Sequence, residues 1–175
     1  MIRLETDRLV LRDHEPRDLS AFCAIESDPE YRWPQPVHPR TELERRFREA
    51  WLPEKAFGLW AAELRPSGVY VGRCGLYPRR TDDGAVIERQ AMIAFYLGRE
   101  YWGRGLATEA GLALIALAFS PLELERIHAG IDAENLRSLR VIEKLGFSHV
   151  QSGEGGERSW HDFALANPRH SDAAF

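Results

Sequence analysis

The chain has 175 residues, enough for one domain that buries about two-thirds of the surface of its unfolded state. Its 23 basic and 27 acidic residues give a net charge of −4, which excludes the strongly basic composition typical of nucleic-acid-binding proteins. Two cysteines, Cys23 and Cys74, are too few for a disulfide framework or a zinc cluster. We therefore expect two buried thiols, no metal site and no nucleic-acid partner.

The opening segment predicts a strand followed by a helix. The stretch "MIRLETDRLVLR" alternates charged and apolar residues and lacks the unbroken apolar core of a signal peptide. Residues 8–12 predict a strand, and residues 15–27, opened by Pro16, predict a helix. The longest apolar run of the chain is interrupted and shorter than a membrane span. We expect a cytoplasmic protein without a membrane partner.

A proline-rich segment and a second helix come next. Residues 28–40, "DPEYRWPQPVHPR", contain four prolines and two large aromatic residues, so this loop either wraps an edge of the core or lines a pocket. Residues 41–52 predict a charged surface helix. Thr41 and Glu44 have the spacing of a capping box at its start.

The middle of the chain predicts strands. Residues 57–64 and 69–77 are apolar runs separated by the turn sequence "RPSG", which favours a β-hairpin. Residues 79–85 predict another turn. The strand that follows it covers residues 86–98 and ends at Gly98.

A glycine-broken turn, "WGRGLATEA" at 102–110, leads from this strand into a long apolar helix. Gly103 and Gly105 can adopt backbone angles closed to other residues and leave no side chain in the way of a ligand. The helix start exposes unpaired N–H groups and the positive end of the helix dipole, which together favour anions such as phosphate. The P-loop spacing is absent, and a dinucleotide fingerprint would need a third glycine at Thr108.

The last third of the chain predicts a strand, a helix and two short strands. Residues 125–133 predict the first strand, and Asn135 is a natural N-cap for a helix that Gly146 ends. Short apolar stretches follow at 147–150 and 160–166. We expect one domain over 1–166 and a disordered tail over 167–175.

Three segments in order, "TDRLVLR" near the start, "WGRGLATEA" and "NLRSLRVIEKLGF" at 135–147, make the chain resemble a known family. This family is the GCN5-related N-acetyltransferases (GNAT), and within it the ribosomal-protein N-terminal acetyltransferase type. The resemblance covers almost the whole chain. It implies an α/β (α+β) fold with helices flanking a mixed central sheet, which splays between the strand ending near Leu97 and the strand at 125–133.

The resemblance also implies acetyl-coenzyme A as the cosubstrate. Its pantetheine arm would pair with the splayed strand through backbone groups of Phe95 and Leu97, and Asn135 would lie near the arm or the sulfur. Its pyrophosphate would lie on backbone N–H groups of the glycine turn, at Gly103, Arg104, Gly105, Ala107 and Thr108. Four arginines cluster in sequence around these segments: Arg99, Arg104, Arg137 and Arg140. Of these, Arg104 is the strongest candidate for a phosphate contact.

The expected chemistry is direct attack of an amine on the thioester carbonyl. The resemblance points to Ser138 as the donor of a proton to the leaving sulfur, while its position beside a helix cap also fits a purely structural role. Related enzymes often carry a glutamate at the position occupied here by Ala91. Glu88 acting through water is therefore a candidate base, and His128 and Asp132 are further candidates.

Two other functions fit parts of the pattern. A non-catalytic sensor that binds acyl-coenzyme A would need the glycine turn but no base, and a dinucleotide-binding oxidoreductase would bind a nicotinamide cofactor instead. For an enzyme, the acceptor is a peptide N-terminus or a small-molecule amine. The assembly is predicted to be a monomer or a homodimer.

Overall fold

The computed structural model describes residues 3–32, 36–51, 57–155 and 158–170. Eight strands occur in chain order: β1 (Leu4–Glu5), β2 (Leu9–Arg12), β3 (Leu59–Leu64), β4 (Val69–Arg80), β5 (Val86–Leu97), β6 (Arg126–Asp132), β7 (Ser148–Gly155) and β8 (Arg158–Ala166). The α-helices are α1 (Leu19–Glu26), α2 (Pro29–Arg32), α3 (Arg40–Arg46), α4 (Leu106–Phe119) and α5 (Leu136–Lys144). A π-helical turn, Phe47–Trp51, continues α3.

The described chain divides into two compact units. The first comprises residues 1–75 and 95–110, and the second comprises residues 76–94 and 111–175. Strand order is β1-β2-β3-β4-β5 in the first unit and β4-β5-β6-β8-β7 in the second, because β4 and β5 run through both. The eight strands form one mixed sheet in which β5 and β6 pair in parallel. This confirms the predicted mixed sheet with helices, while a single domain over 1–166 stays a prediction.

The core of the first unit is built on the predicted hairpin. β3 and β4 pair antiparallel, with Leu64 opposite Val69. Gly68 closes the turn between them with a φ of 68°, which favours glycine. Helices α1 and α3 contribute to the cluster of buried side chains, which contains Phe22, Cys23, Leu43, Phe47, Ala61 and Tyr70. Both cysteines are free and buried, as predicted, and burial raises the pKa of Cys74 to about 12.

The predicted capping box of the second helix is wrong. Helix α3 begins at Arg40, and its N-cap is Pro39, which has no side-chain cap hydrogen bond. The N–H groups of Glu42 and Leu43 donate to the carbonyl of Pro39 at 3.0 and 3.1 Å, so Thr41 lies inside the first turn. The fixed φ of proline favours a helix start directly after it. Of the loop 28–40, residues 29–32 form α2, and residues 33–35 lie outside the described residues.

The C-terminal segment is held by Asn167, where we predicted the start of a disordered tail. Asn167 is buried; its side chain donates to the carbonyls of Leu124 and Phe119 at 2.9 and 3.3 Å, and its N–H donates to Glu125 at 2.8 Å. The ordered chain therefore continues past the predicted boundary, and residues 171–175 lie outside the described part. Among the described helices, none has the length and apolar character needed to cross a membrane.

Candidate active site

The glycine turn adopts the backbone that the sequence predicted. Gly103 and Gly105 have φ angles of 72° and 77°, in the left-handed region that side chains avoid. A Cβ added at Gly103 would meet nothing within 4 Å, so the turn is open above this residue. The N–H of Glu109 donates to the carbonyl of Gly105 at 3.0 Å and closes the first turn of α4. The N–H groups before it have no acceptor inside the helix and are available to an anion.

A clamp formed by Thr6, Arg8 and Glu109 ties the segment before β2 to this turn. The Glu109 carboxylate accepts hydrogen bonds from Thr6 Oγ1 at 2.5 Å, from the Arg8 N–H at 2.7 Å and from Arg8 Nε at 2.6 Å. Arg8 Nη1 also donates to the carbonyl of Arg104 at 2.8 Å. Burial alone would raise the pKa of Glu109, but these hydrogen bonds and the Arg8 charge outweigh it and lower the pKa. The clamp therefore persists below pH 4.5 and is lost as the pH falls through the lowered pKa.

The first prediction is that Glu109→Gln loosens the glycine turn. An amide has one acceptor oxygen and directs N–H groups at the Arg8 donors, so partly exposed hydrogen bonds to a carboxylate are lost at about 1–3 kcal/mol. We expect the Kd for acetyl-coenzyme A, measured by calorimetry, to rise about tenfold and the Tm to fall. Glu143→Gln, an exposed change on α5, is the matched control. A folded Glu109→Gln protein with unchanged affinity would show that the clamp does not shape the turn.

The arginines around the turn have different environments. Arg99 forms ion pairs with Asp28, at 3.3 Å, and with Glu30, so its guanidinium already has carboxylate partners. The Arg104 guanidinium lies over the ring of Tyr101 with 5.7 Å to the centroid and stays exposed beside the turn. Arg137 and Arg140 are exposed on α5. Arg104 lies on the turn itself, and compared with Arg99 it remains the better candidate for a phosphate contact.

The end of β5 carries the two residues predicted beside the pantetheine arm. The N–H of Gly98 donates to the carbonyl of Val71 on β4 at 2.9 Å. Because consecutive residues of a strand direct their backbone groups to opposite sides, Phe95 and Leu97 direct theirs away from β4. The indole of Trp102 donates to the Leu97 carbonyl at 2.7 Å. The remaining backbone groups of Phe95 and Leu97 have the orientation that an added extended chain would need.

The start of α5 carries Asn135 and Ser138. Asn135 is the N-cap, as predicted, and its side-chain oxygen accepts the Ser138 N–H at 3.1 Å. Asn135 is exposed and Ser138 is half-buried. The capping role of Asn135 is thus confirmed, while a role of either residue toward acetyl-coenzyme A stays a prediction.

The parallel pairing of β5 and β6 is short. It joins Gln90 to Arg126, Ala91 to Ile127 and Met92 to His128, and over the described residues it ends there although both strands continue. The strands therefore separate, which confirms the predicted splay.

A cavity of about 560 Å³ opens in the second unit where this pairing ends. Met92 lies at the last paired position, and Gly130, two residues after His128, contributes no side chain. The other residues that line the cavity come from β4, β5, β7 and β8: Tyr77, Pro78, Arg79, Arg80, Met92, Gln151, Trp160 and Asp162. Among the described lining residues, Asp162 is the single carboxylate.

A polar cluster lies against this cavity. Arg79 Nη2 donates to Asp162 Oδ2 at 3.1 Å, and Arg79 Nη1 lies 2.6 Å from Nδ1 of His128 and donates to Gln90 Oε1 at 3.3 Å. His128 is buried, and its Nδ1 lies 3.5 Å from Asp162 Oδ2. Burial, followed by the charge of Arg79, lowers the pKa of His128 to about 4 against the opposing effect of Asp162. His128 is therefore neutral at pH 7.

The candidate bases do not meet in one place. Ala91 is completely buried, and since neighbouring residues of a strand face opposite sides, a side chain there would point away from the cavity that Met92 lines. Glu88 is exposed and does not line the cavity. Asp132 is ion-paired with Arg158. His128 contacts Arg79, which disfavours a protonated imidazole.

Neither the clamp around Glu109 nor the cluster of Arg79, His128 and Asp162 was predicted from the sequence. It used "TDRLVLR" only as a family signature, although Thr6 and Arg8 bind Glu109. It gave no role to Arg79 or Asp162, which are separated by 83 residues. Polar residues inside otherwise apolar strands, such as Asp162, were the available signal, because buried charges are rare unless they are paired.

Comparison with known proteins shows the family. Residues 8–148 match the acetyltransferase (GNAT) domain family. The uncharacterized protein YkkB of Bacillus subtilis (strain 168) is 32% identical over 158 residues, covering 86% of this chain and 87% of YkkB. The uncharacterized N-acetyltransferase p20 of Bacillus licheniformis is 30% identical over 153 residues, 84% of this chain and 83% of p20.

A solved structure shows the same fold. The acetyltransferase (GNAT family) from Bacillus anthracis superposes with a TM-score of 0.81 at 21% identity, over 95% of this chain and 99% of that one. The chain belongs to the GNAT acetyltransferase family and is an acetyl-transferring enzyme. Enzymes of this family use acetyl-coenzyme A as cosubstrate. The open glycine turn, with two left-handed glycines at the positive end of α4, fits the pyrophosphate of that molecule.

Proposed function

We propose that this protein transfers an acetyl group from acetyl-coenzyme A to a primary amine by direct attack. The observation that carries the proposal is the clamped glycine turn before α4, where Gly103 and Gly105 leave backbone N–H groups open to an anion. When bound, acetyl-coenzyme A supplies an activated thioester. The amine nitrogen forms a bond to the acetyl carbon, the carbon–sulfur bond breaks, and one proton leaves nitrogen while one is taken up at sulfur.

The proposed cosubstrate contacts come from three segments of the chain. At the glycine turn, the pyrophosphate contacts would be the N–H groups of Gly103, Arg104, Gly105, Ala107 and Thr108. Phe95 and Leu97 would pair with the pantetheine arm through the backbone groups that face away from β4. At the start of α5, Asn135 would contact the arm or the sulfur.

The amine must lose a proton, and the described residues near the cavity provide no evident general base. The usual glutamate position is the buried Ala91, and Asp162 is already paired with Arg79. We propose that the amine reacts in its free neutral form, with Glu88 acting only through water. This arrangement favours acceptors that are weakly basic.

The second prediction concerns Ser138 as the proton donor to sulfur. A thiol with a pKa near 8.5 is already a tolerable leaving group, so we expect Ser138→Ala to lower kcat about tenfold and leave the Kd for acetyl-coenzyme A unchanged. Ser20→Ala on α1 is the matched control. Equal single-turnover rates for wild type and Ser138→Ala would leave Ser138 with a structural role at the helix cap.

Membership in a family of acetyl-transferring enzymes argues against the predicted alternative of a non-catalytic acyl-coenzyme A sensor, for which the buried Ala91 at the usual base position is the supporting observation. The test is to mix protein, acetyl-coenzyme A and a panel of amines and to titrate free thiol. Thiol release that depends on the amine supports the enzyme, and tight cosubstrate binding without release supports the sensor. Family membership rules out the predicted alternative of a dinucleotide-binding oxidoreductase.

The proposed kind of acceptor amine is supported by relatives that match a smaller part of the chain. A Bacillus subtilis protein named for ribosomal N-acetylation is 33% identical over 89 residues, and the spermidine N(1)-acetyltransferase of Escherichia coli (strain K12) is 34% identical over 62 residues. We propose a peptide N-terminal amine or a small-molecule amine as acceptor. A cytoplasmic location and a monomeric or homodimeric state stay predictions.

A further inference from the structure

The charged groups around the cavity where β5 and β6 separate neutralise one another. Arg79 Nη2 donates to Asp162 Oδ2 at 3.1 Å, which pairs a guanidinium with the single carboxylate of the described lining residues. His128 is neutral at pH 7, because burial and the Arg79 charge lower its pKa to about 4. Arg80 follows Arg79 directly, so its side chain takes the other face of β4, where Nη1 donates to the carbonyl of Gly84. Among the described lining residues, no unpaired charge therefore faces the cavity.

Two aromatic rings and a thioether make up much of the remaining lining. Tyr77 and Trp160 each lie two residues before a member of the ion pair, so strand alternation puts both rings on the side of the sheet where the cavity opens. They are 38% and 37% exposed, and a ligand can therefore reach them. A Cβ added at Gly130 would lie 3.7 Å from Met92 Cε, so the Met92 methyl group borders the space that this glycine leaves. A flexible thioether adapts to the shape of an apolar ligand and makes favourable contacts with aromatic rings.

The indole of Trp160 lies on a glycine of the neighbouring strand. Trp160 is the pairing partner of Gly153 across β8 and β7. A Cβ added at Gly153 would lie 2.4 Å from Cζ2 and 2.6 Å from Cε2 of the indole, closer than two carbon atoms can approach without a bond. The indole therefore occupies the space that a side chain at position 153 would take, an arrangement in which an aromatic ring covers a glycine of an edge strand. Gly153 thus sets the position of the ring that lines the cavity.

We propose that the acceptor bound in this cavity carries a large apolar side chain, such as an aromatic ring, beside its amine, and that Trp160, Tyr77 and Met92 bind that side chain. This inference rests on the proposed acetyl transfer and narrows its acceptor class. A ring packs well against aromatic side chains and a thioether. A charged side chain is disfavoured, because it would lose water without meeting an opposite charge. A peptide whose first residue is aromatic combines such a ring with a weakly basic amine.

The experiment compares four tripeptide amides that differ only in their first residue: Phe-Ala-Ala, Ala-Ala-Ala, Glu-Ala-Ala and Lys-Ala-Ala. Binding is measured by calorimetry without an acetyl donor, and acetyl transfer is measured separately. We expect the phenylalanine peptide to bind about tenfold more tightly than the alanine peptide, near the low end for burial of a phenylalanine side chain. The glutamate and lysine peptides should bind no more tightly than the alanine peptide.

Two variants test the ring itself. Trp160→Ala removes the indole but also uncovers the backbone of β7. Gly153→Ala is the decisive variant, because it keeps Trp160 and places a methyl group where the far end of the indole lies, so the ring has to move. In both variants the phenylalanine and alanine peptides should bind within about threefold of each other. Val86→Ala, an exposed apolar truncation at the start of β5 outside the cavity lining, should keep the preference.

The binding assay and the transfer assay decide different questions. Equal binding of the phenylalanine and alanine peptides by wild type, including no measurable binding of either, overturns the inference. Tighter binding of the glutamate or lysine peptide than of the phenylalanine peptide also overturns it, as does a preference that both Gly153→Ala and Trp160→Ala retain. Absence of transfer to every amine overturns the proposed function, while the binding result still decides this inference.

Discussion

Gly105→Asp is expected to weaken acetyl-coenzyme A binding by about 100-fold, because a carboxylate then lies where we place the pyrophosphate. Two unit charges about 4 Å apart near a protein surface repel by about 4 kcal/mol, which exceeds the 2.7 kcal/mol that a 100-fold change requires. The new Cβ would also lie 3.4 Å from Arg8 Nη2, so the carboxylate would compete with Glu109 for that guanidinium. Calorimetric titration with acetyl-coenzyme A measures the effect.

Two variants separate charge from backbone strain. Gly105→Asn has nearly the same shape without the charge and tolerates the left-handed backbone as well as aspartate does, so it should weaken binding by only about tenfold. Gly84→Asp places the same side chain at a φ of 88° with nothing within 4 Å, in a turn we give no role in binding acetyl-coenzyme A. It should bind acetyl-coenzyme A normally. Wild-type affinity in a folded Gly105→Asp protein would move the pyrophosphate site elsewhere.

The second large effect is the expected preference for an α-amine over a lysine side chain. Deprotonating a lysine with a pKa near 10.4 at pH 7 costs about 4.6 kcal/mol, and an α-amine near 7.8 costs about 1.1 kcal/mol. The buried Ala91 offers no base to offset this difference. Because the more basic amine is also the stronger nucleophile, we expect the net preference to be about 100-fold rather than the full difference.

A competition experiment measures this preference. One peptide has a free N-terminus and no lysine, and its partner of matched sequence has a blocked N-terminus and one internal lysine. Mass spectrometry follows both products at pH 7. Faster acetylation of the lysine would contradict the prediction and would point to an effective base, for which Glu88 and His128 would be tested first.

Local features of the fold were predictable because the chain itself determines them. The angles of Gly103 and Gly105, and the hydrogen bond from the Ser138 N–H to Asn135, involve residues at most three positions apart. Where neighbouring signals compete, local reasoning fails: Thr41 and Glu44 fit a capping box, but the preceding Pro39 starts the helix earlier.

The polar side chains that join distant segments of the chain could not be predicted from local signals. Arg79, His128 and Asp162 lie on three strands, and their contact depends on strand order and on which face each residue takes in the sheet. A one-residue change of register would turn Asp162 to the other face. Periodicity predicts that a strand exists, but it does not determine its register with a partner that is tens of residues away.

The clamp from Thr6 and Arg8 to Glu109 also has a consequence for how the protein is made. These contacts join residues 101 and 103 positions apart, so they raise the contact order of the segment that we propose binds the cosubstrate. During synthesis, the segment before β2 has to wait without its carboxylate partner until α4 has left the ribosome. The glycine turn therefore gains its final support late in folding, and a fragment starting at β2 would contain every glycine of the turn without the residues that hold it.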